Sequence, residues 1–192
     1  MLRYNKDAAI VYNTLQMYRH DRLAFFQREI DAAKADGHYL GVKIVRGAYM
    51  EKERDRAEEK GYPSPIQPTK EASDTDFDKS LRLALDHADI VGLCAGSHNE
   101  KSALLLTEIM KEKGLPNDHP SIYFAQLLGM SDHISFNLAN AGYNVAKYVP
   151  YGPVKEVMPY LLRRADENTS VAGQTSRELS LIMKERKRRK GK

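Results

Sequence analysis

Two adjacent arginines near the carboxyl end of the chain stand at helical spacing from a tyrosine and a glutamate. Tyr160 precedes Arg163 and Arg164 by three and four residues, and Glu167 follows them, so one helix would place all four side chains on one side. Two guanidinium forks beside a phenol suit a small carboxylate, because each fork donates paired hydrogen bonds in a fixed plane. An ordinary surface Arg–Glu pair is the alternative interpretation of this helix taken alone.

A second group of candidates follows two apolar segments earlier in the chain. Lys43 and Arg46 could hold a phosphate or an electron-rich ring, and Gly47 would let the backbone approach a ligand closely. Ser97 and His98 lie in a glycine-containing turn before a helix, where free backbone N–H groups suit a phosphate. A basic strand end and a capping or solvated histidine are the alternatives.

Composition places the chain among soluble globular proteins. Its 192 residues suit one domain with a sizeable core, at 42% hydrophobic and 29% charged residues. We find no apolar run of membrane-spanning length and no signal-peptide core at the amino terminus. The single cysteine, Cys94, excludes an internal disulfide, suits a reducing compartment and is expected to be a buried structural thiol.

The basic charge is concentrated at the carboxyl terminus. Residues 184–192 hold seven basic groups and one acidic group, a net of +6, so the other residues carry −2 of the total of +4. This distribution argues against a nucleic-acid-binding face. We therefore predict a domain over residues 1–183 and a basic tail over residues 184–192. The tail is expected to be a solvated helix end, with contact to anionic lipid head groups as the alternative.

Short apolar strands alternate with amphipathic helices along the chain, and glycines follow several of the helices. Ser131 and Asp132 are the candidate amino-terminal caps of the fifth helix. The predicted strands are 10–16, 39–45, 89–94, 121–126 and 144–149. The predicted helices between them are 21–36, 50–60, 74–87, 99–113 and 131–141.

This alternation predicts an α/β fold with a parallel sheet, either doubly wound or part of a (β/α)8 barrel. The polar candidates gather at the carboxyl ends of strands, where barrels keep their chemistry, and Gln126 falls there too. We find no Gly-x-Gly-x-x-Gly turn after a strand, which argues against a dinucleotide site of the Rossmann type. A complete barrel needs eight strands, so five indicate an incomplete barrel.

Five segments together closely resemble the proline dehydrogenase family in order and spacing, over residues 11–170. They are Val45-Arg46-Gly47-Ala48-Tyr49, Ala95-Gly96-Ser97-His98-Asn99-Glu100, Gln126-Leu127-Leu128-Gly129-Met130, Lys147-Tyr148-Val149-Pro150-Tyr151-Gly152-Pro153 and Tyr160-Leu161-Leu162-Arg163-Arg164. The resemblance implies a distorted (β/α)8 barrel that binds FAD and oxidises L-proline to Δ1-pyrroline-5-carboxylate. It implies hydride transfer from proline C5 to flavin N5 and a membrane quinone as the electron acceptor.

The resemblance also implies roles for particular residues. Arg163 and Arg164 would grip the proline carboxylate, Glu167 would hold one arginine in place, and Tyr148 and Tyr160 would wall the substrate pocket. No metal is expected. The residues implied to line the flavin are Gln16, Lys43, Val45, Arg46, Gly47, Ala48, Tyr49, Ser97 and His98.

In the family, the first barrel strands precede the strand that ends at Gln16, and they supply a substrate-contacting lysine and a flavin-facing aspartate. This chain is therefore expected to be the carboxyl-terminal part of the catalytic domain, with about five βα units. A missing amino-terminal segment or a second polypeptide would supply the rest. The expected location is cytoplasmic or peripheral on the inner membrane, mitochondrial in a eukaryote, and not secreted.

Two alternative functions stay open from the residues. One is a non-catalytic or partner-dependent barrel fragment that keeps the scaffold without a working flavin site. The other is a barrel lyase in which Lys43 or Lys147 forms a Schiff base at a strand end.

Overall fold

Strands and helices alternate along most of the chain in the computed structural model. It describes residues 3–170 and 172–191, apart from the side chains of residues 163–178. The strands are β1 (Tyr12–Gln16), β2 (Leu40–Val45), β3 (Val91–Gly96), β4 (Ile122–Leu127) and β5 (Val145–Tyr148). The helices are α1 (Arg22–Asp36), α2 (Met50–Lys60), α3 (Lys70–Asp86), α4 (Glu100–Glu112), α5 (Asp132–Asn140), α6 (Val154–Ser170) and α7 (Ala172–Lys190).

The five strands are parallel and lie in sequence order, β1-β2-β3-β4-β5. A doubly wound sheet reverses its strand order at one point, whereas a barrel adds each strand beside the last. Because crossovers are right-handed and always advance in the same direction here, the connecting helices fall on one face of the sheet. The described sheet is therefore a barrel segment, as the sequence predicts.

The register sorts the side chains of the sheet into two faces. One row joins five strands on the helix-covered face, and its first four residues belong to the main hydrophobic core: Leu15, Ile44, Ala95, Phe124 and Val145. Phe26, Phe77 and Leu106 are fully buried helix residues of the same core. The neighbouring row lies on the opposite face and is partly or largely exposed: Thr14, Lys43, Cys94 and Tyr123. Alternation along each strand thus separates the core from the barrel-interior face.

Several element boundaries differ from the sequence-based prediction; β3, for example, lies at Val91–Gly96 rather than residues 89–94. Two of the differences have a clear local reason. Strand β1 begins at Tyr12 rather than residue 10, because the backbone N–H groups of Ile10 and Val11 donate to the buried Asn5 side chain. Helix α3 begins at Lys70 rather than residue 74, because the Thr69 hydroxyl accepts a hydrogen bond from the first turn, at 3.1 Å from the Ala72 nitrogen.

The contacts divide the chain into two units, Met1–Tyr148 and Val149–Lys192. The first contains the sheet and helices α1 to α5, and the second contains α6 and α7. The predicted boundary between residues 183 and 184 falls inside α7, which runs to Lys190. The basic tail is therefore the end of a helix, with Glu185 bonded to Arg188 and Arg189.

Strand β1 forms one outer edge of the described sheet, and Ile10 beside it is 70% exposed. Unpaired strand edges flanked by apolar side chains favour association. We expect the 192-residue chain to self-associate and bind a hydrophobic dye, and we expect Ile10→Lys to reduce both. The control is Leu104→Lys on α4, at a residue 56% exposed and away from the edge. Equal effects of both substitutions in sedimentation and dye fluorescence would show that the β1 edge is not the associating surface.

Candidate functional site at the strand ends

The predicted flavin-lining residues lie at the carboxyl ends of three adjacent strands. Gln16 ends β1 and is paired in register with Val45 at the end of β2. Ser97 and His98 follow directly after β3. Because β1, β2 and β3 are parallel neighbours, these ends meet at one edge of the sheet.

Lys43 lies on the face of the sheet opposite the helices. Its stem crosses Gly96, where an added Cβ would lie 3.4 Å from Lys43 Cε and 2.9 Å from Val45 Cγ1. The Lys43 ammonium lies 5.8 Å from the centre of the Tyr148 ring, which is 49% exposed. The structure thus brings a predicted cofactor residue beside a predicted substrate residue.

Arg46 points to the opposite side, as its position two residues after Ile44 requires. Its Nε donates to Asp74, and its Nη1 and Nη2 donate to the Ser97 and Ser102 hydroxyls, each at 2.9 Å. The guanidinium carbon lies 4.2 Å from the centre of the Phe77 ring. We call these five residues the Arg46 cluster. Three of the five Arg46 N–H groups are used within it.

Gly47 is required by an internal neighbour. Its φ is 128°, and an added Cβ would lie 1.7 Å from Cδ1 of the buried Tyr18 ring. The close approach that the sequence suggested for a ligand is therefore made by a tyrosine. Ala48 is half-buried, and Tyr49 is exposed directly before α2, with Lys52 Nζ at 5.9 Å from its ring centre.

The turn after β3 uses much of its own hydrogen-bonding capacity. The Ser97 hydroxyl accepts from the Asn99 backbone nitrogen at 3.1 Å as well as from Arg46. The Asn99 side chain caps α4 by accepting from the Lys101 and Ser102 nitrogens at 2.9 and 3.3 Å. The expectation of free backbone N–H groups is therefore wrong for the amides of Asn99, Lys101 and Ser102.

Ser131 holds His98 in place rather than capping α5. Its side chain makes no capping bond, and its hydroxyl lies 3.0 Å from His98 Nδ1. Ser131 has a φ of 53°, a left-handed conformation that is uncommon for a residue other than glycine. The capping prediction for Ser131 is wrong, and nothing in its sequence context signals the left-handed backbone.

The side chains of Gln126 and Lys147 each form hydrogen bonds with other groups of the chain. The Gln126 side chain donates to the Ser97 carbonyl at 3.3 Å and accepts from the Ser135 hydroxyl at 3.0 Å. Lys147 Nζ donates to the Leu127 and Met130 carbonyls at 3.4 and 2.8 Å and to Asp132 at 2.9 Å. Three acceptors match the three N–H groups of an ammonium, which argues against Lys147 as a Schiff-base nucleophile.

Helix α6 contains all four positions of the predicted carboxylate clamp. Tyr160, Arg163, Arg164 and Glu167 lie within the continuous helix Val154–Ser170, so their spacing is helical. Tyr160 is half-buried. The side chains of Arg163, Arg164 and Glu167 lie outside the described residues, so their contacts stay a prediction.

Among the described residues, His, Cys, Asp and Glu side chains form no group of three that could hold a metal ion. The helices described here are also too short or too polar to cross a bilayer.

The Cys94 thiol reports on the placement of Lys43. Burial raises the pKa of Cys94, and the charge of Lys43, its neighbour in register, lowers it in part. We expect iodoacetamide to label Cys94 at pH 8 about tenfold more slowly than a free cysteine, because little thiolate is present. Lys43→Met should slow labelling further, whereas the control Lys52→Met should not. Folded and urea-unfolded chains that label at the same rate would contradict the burial of Cys94. Unchanged labelling in Lys43→Met would contradict the placement of Lys43 beside it.

Comparison with known proteins agrees with the geometry. The sequence model of the family described as Proline dehydrogenase matches residues 1–177. The chain is 43% identical over 199 residues to "Proline dehydrogenase 1, mitochondrial" of Drosophila melanogaster, covering 98% of this chain and 29% of that protein. It is 44% identical over 191 residues to the Homo sapiens protein of the same name, covering 97% and 32%. It is 42% identical over 193 residues to "Hydroxyproline dehydrogenase" of Xenopus laevis, covering 98% and 41%.

Solved structures show the same fold. The crystal structure of proline utilization A from Bdellovibrio bacteriovorus inactivated by N-propargylglycine matches with a TM-score of 0.78 and 27% identity, covering 84% of this chain and 17% of that one. Bradyrhizobium japonicum proline utilization A, at a TM-score of 0.77 and 24% identity, covers 87% and 17%. The chain spans about three tenths to four tenths of the length of the curated relatives named above. With its barrel segment, its strand-end residues and a family match over residues 1–177, the chain belongs to the proline dehydrogenase family.

Proposed function

We propose that this chain forms part of an FAD-dependent catalytic barrel that oxidises L-proline to Δ1-pyrroline-5-carboxylate. The observation that carries the proposal is the juxtaposition of Lys43 and Tyr148 on the barrel-interior face, where the ends of β1, β2 and β3 also meet. Family membership supports the reaction class. A fragment that keeps the scaffold without a working site is the competing proposal, because the chain spans only about three tenths of the two proline dehydrogenases compared above.

The residues at the strand ends fit a flavin. Gly96 leaves room for the Lys43 stem, the Lys43 ammonium lies beside the Tyr148 ring, and Gln16 is paired in register with Val45. An ammonium, an amide and small apolar side chains suit a ring that carries hydrogen-bonding edges and apolar faces. When bound, the flavin supplies the hydride-accepting chemistry. The residues proposed to line it are Gln16, Lys43, Val45, Arg46, Gly47, Ala48, Tyr49, Ser97 and His98.

The substrate carboxylate is proposed to bind Arg163 and Arg164, with Glu167 holding one guanidinium and Tyr148 and Tyr160 walling the pocket. Two bidentate donors fix a small planar anion in one orientation. Holding the carboxylate in this way orients proline C5 for reaction. Such positioning lowers the activation free energy by about 3 kcal/mol or more.

Electrons are proposed to pass to a quinone in a membrane, and the basic end of α7 is proposed to lie against its anionic surface. The exposed residues there include Lys184, Arg186 and Lys190. Curated relatives from Drosophila and human are named mitochondrial, which supports a mitochondrial location for this chain.

The arginine clamp is tested by replacing Arg163 or Arg164 with Lys, with the rest of the barrel present. Lysine keeps the charge but loses the planar fork, so the Michaelis constant for proline should rise by one to two decades, about 1.4–3 kcal/mol. Steady-state kinetics with proline and hydroxyproline measures the effect and also the substrate preference.

The matched control is Arg186→Lys in the basic end of α7, which makes the same chemical change outside the proposed clamp. Its Michaelis constant should stay unchanged. Unaltered proline kinetics in both clamp variants would remove the support for carboxylate binding by these arginines.

A further inference from the structure

Arg46 joins three strand ends through its backbone and its side chain. Its carbonyl accepts from the Tyr18 nitrogen at 2.7 Å, in the loop that follows β1. Its side chain donates to Ser97 directly after β3 and to Ser102 in the first turn of α4. Since Arg46 itself follows β2, one residue contacts all three segments that supply the proposed flavin contacts.

Asp74 is the carboxylate that holds the Arg46 side chain directly. It lies in the second turn of α3, accepts from Arg46 Nε and also accepts from Lys70 at 2.6 Å. Burial raises the pKa of Asp74, but the bonds from Lys70 and Arg46 outweigh this effect and hold the pKa below its ordinary value. The carboxylate is therefore charged near neutral pH and makes a charge-assisted bond to Arg46.

We propose that Asp74 is a positioning residue of the flavin site, which fixes the Arg46 guanidinium and through it the turn at Ser97 and His98. This inference rests on the proposed function for the role of the Ser97–His98 turn in binding flavin. The bonds that link Asp74, Arg46 and Ser97 do not depend on that function. Asp74 lies on helix α3, outside the strand ends, and is linked to Ser97 through the Arg46 guanidinium.

The geometry explains why one carboxylate has this effect. Phe77 lies one turn after Asp74 on α3 and packs under the guanidinium, so the plane of Arg46 is set by a ring below and a carboxylate at Nε. With the plane set, Nη1 and Nη2 reach hydroxyls on two different elements. Ser102 in turn donates to Asp78 at 2.7 Å, which links α4 back to α3. Without Asp74 the guanidinium could rotate, and Ser97 would lose a fixed donor.

The test compares Asp74→Asn with two controls in the 192-residue chain without flavin, by amide hydrogen exchange. Asp86→Asn removes the same charge from the same helix and breaks a different ion pair, to Lys113. Lys70→Gln removes the other partner of Asp74. We expect about tenfold faster exchange at residues 97–99 in Asp74→Asn, and less than twofold in either control, because only the first variant replaces the charge-assisted bond to Arg46 by a weaker neutral one. Asp74→Glu should restore most of the protection.

A second variant keeps the proposal testable if Asp74→Asn does not fold. Ser102→Ala removes the Nη2 acceptor and should speed exchange at residues 97–99 by about threefold, without a change at the far end of α4. Unchanged exchange at this turn in Ser102→Ala and in any folded Asp74→Asn would overturn the proposal. So would an increase spread evenly over the chain, which would indicate a general loss of stability.

A parallel titration with FAD separates this inference from the proposed function. If the chain binds FAD, Asp74→Asn should weaken binding about tenfold relative to Asp86→Asn, since a released turn must be ordered again on binding. Equal affinities of the two variants for FAD would overturn the proposed role of Asp74 in the flavin site. If the unsubstituted chain binds no FAD, the proposed function loses support, while hydrogen exchange still decides whether Asp74 positions the turn.

Discussion

The alternation of side chains along β2 is the constraint on which the site depends. Ile44 and Arg46 face the helices, whereas Lys43 and Val45 face the barrel interior. A slip of one residue in the pairing with β1 or β3 would bury Lys43 in the core and expose Ile44. The apolar row through Leu15, Ile44 and Ala95 fixes the register of the strands. Burial of this row in the core therefore also places the Lys43 ammonium on the barrel-interior face.

Above the strands, polar side chains hold the turns to one another. The Ser97 hydroxyl accepts a hydrogen bond from Arg46, and the Ser97 carbonyl accepts one from the Gln126 side chain. Lys147 ties the turn after β4 to β5 through two carbonyl groups. These bonds replace the backbone hydrogen bonds between neighbouring strands at the point where the strands end. Residues outside the proposed pocket therefore influence its shape.

Much of the fold could be predicted from the sequence, because strand and helix periodicity and turn glycines act locally. Gly37 and Gly61, for example, adopt the left-handed conformation expected after a helix, with φ of 66° and 68°. The partners of single polar side chains could not be predicted, because they depend on the sheet register and on distant elements. The Arg46 bond to Asp74 spans 28 positions and the His98 contact with Ser131 spans 33. Gly47 illustrates the limit, since its neighbour proved to be Tyr18.

The proposed flavin site at three strand ends is tested most directly by mapping hydrogen exchange of the 192-residue chain with and without saturating FAD. We expect protection at residue 16, residues 43–49 and residues 97–98, because only these segments are proposed to contact the cofactor. The outer surfaces of α1 and α4 should exchange unchanged. Protection confined to other segments, or none at an FAD concentration that saturates binding, would contradict the site.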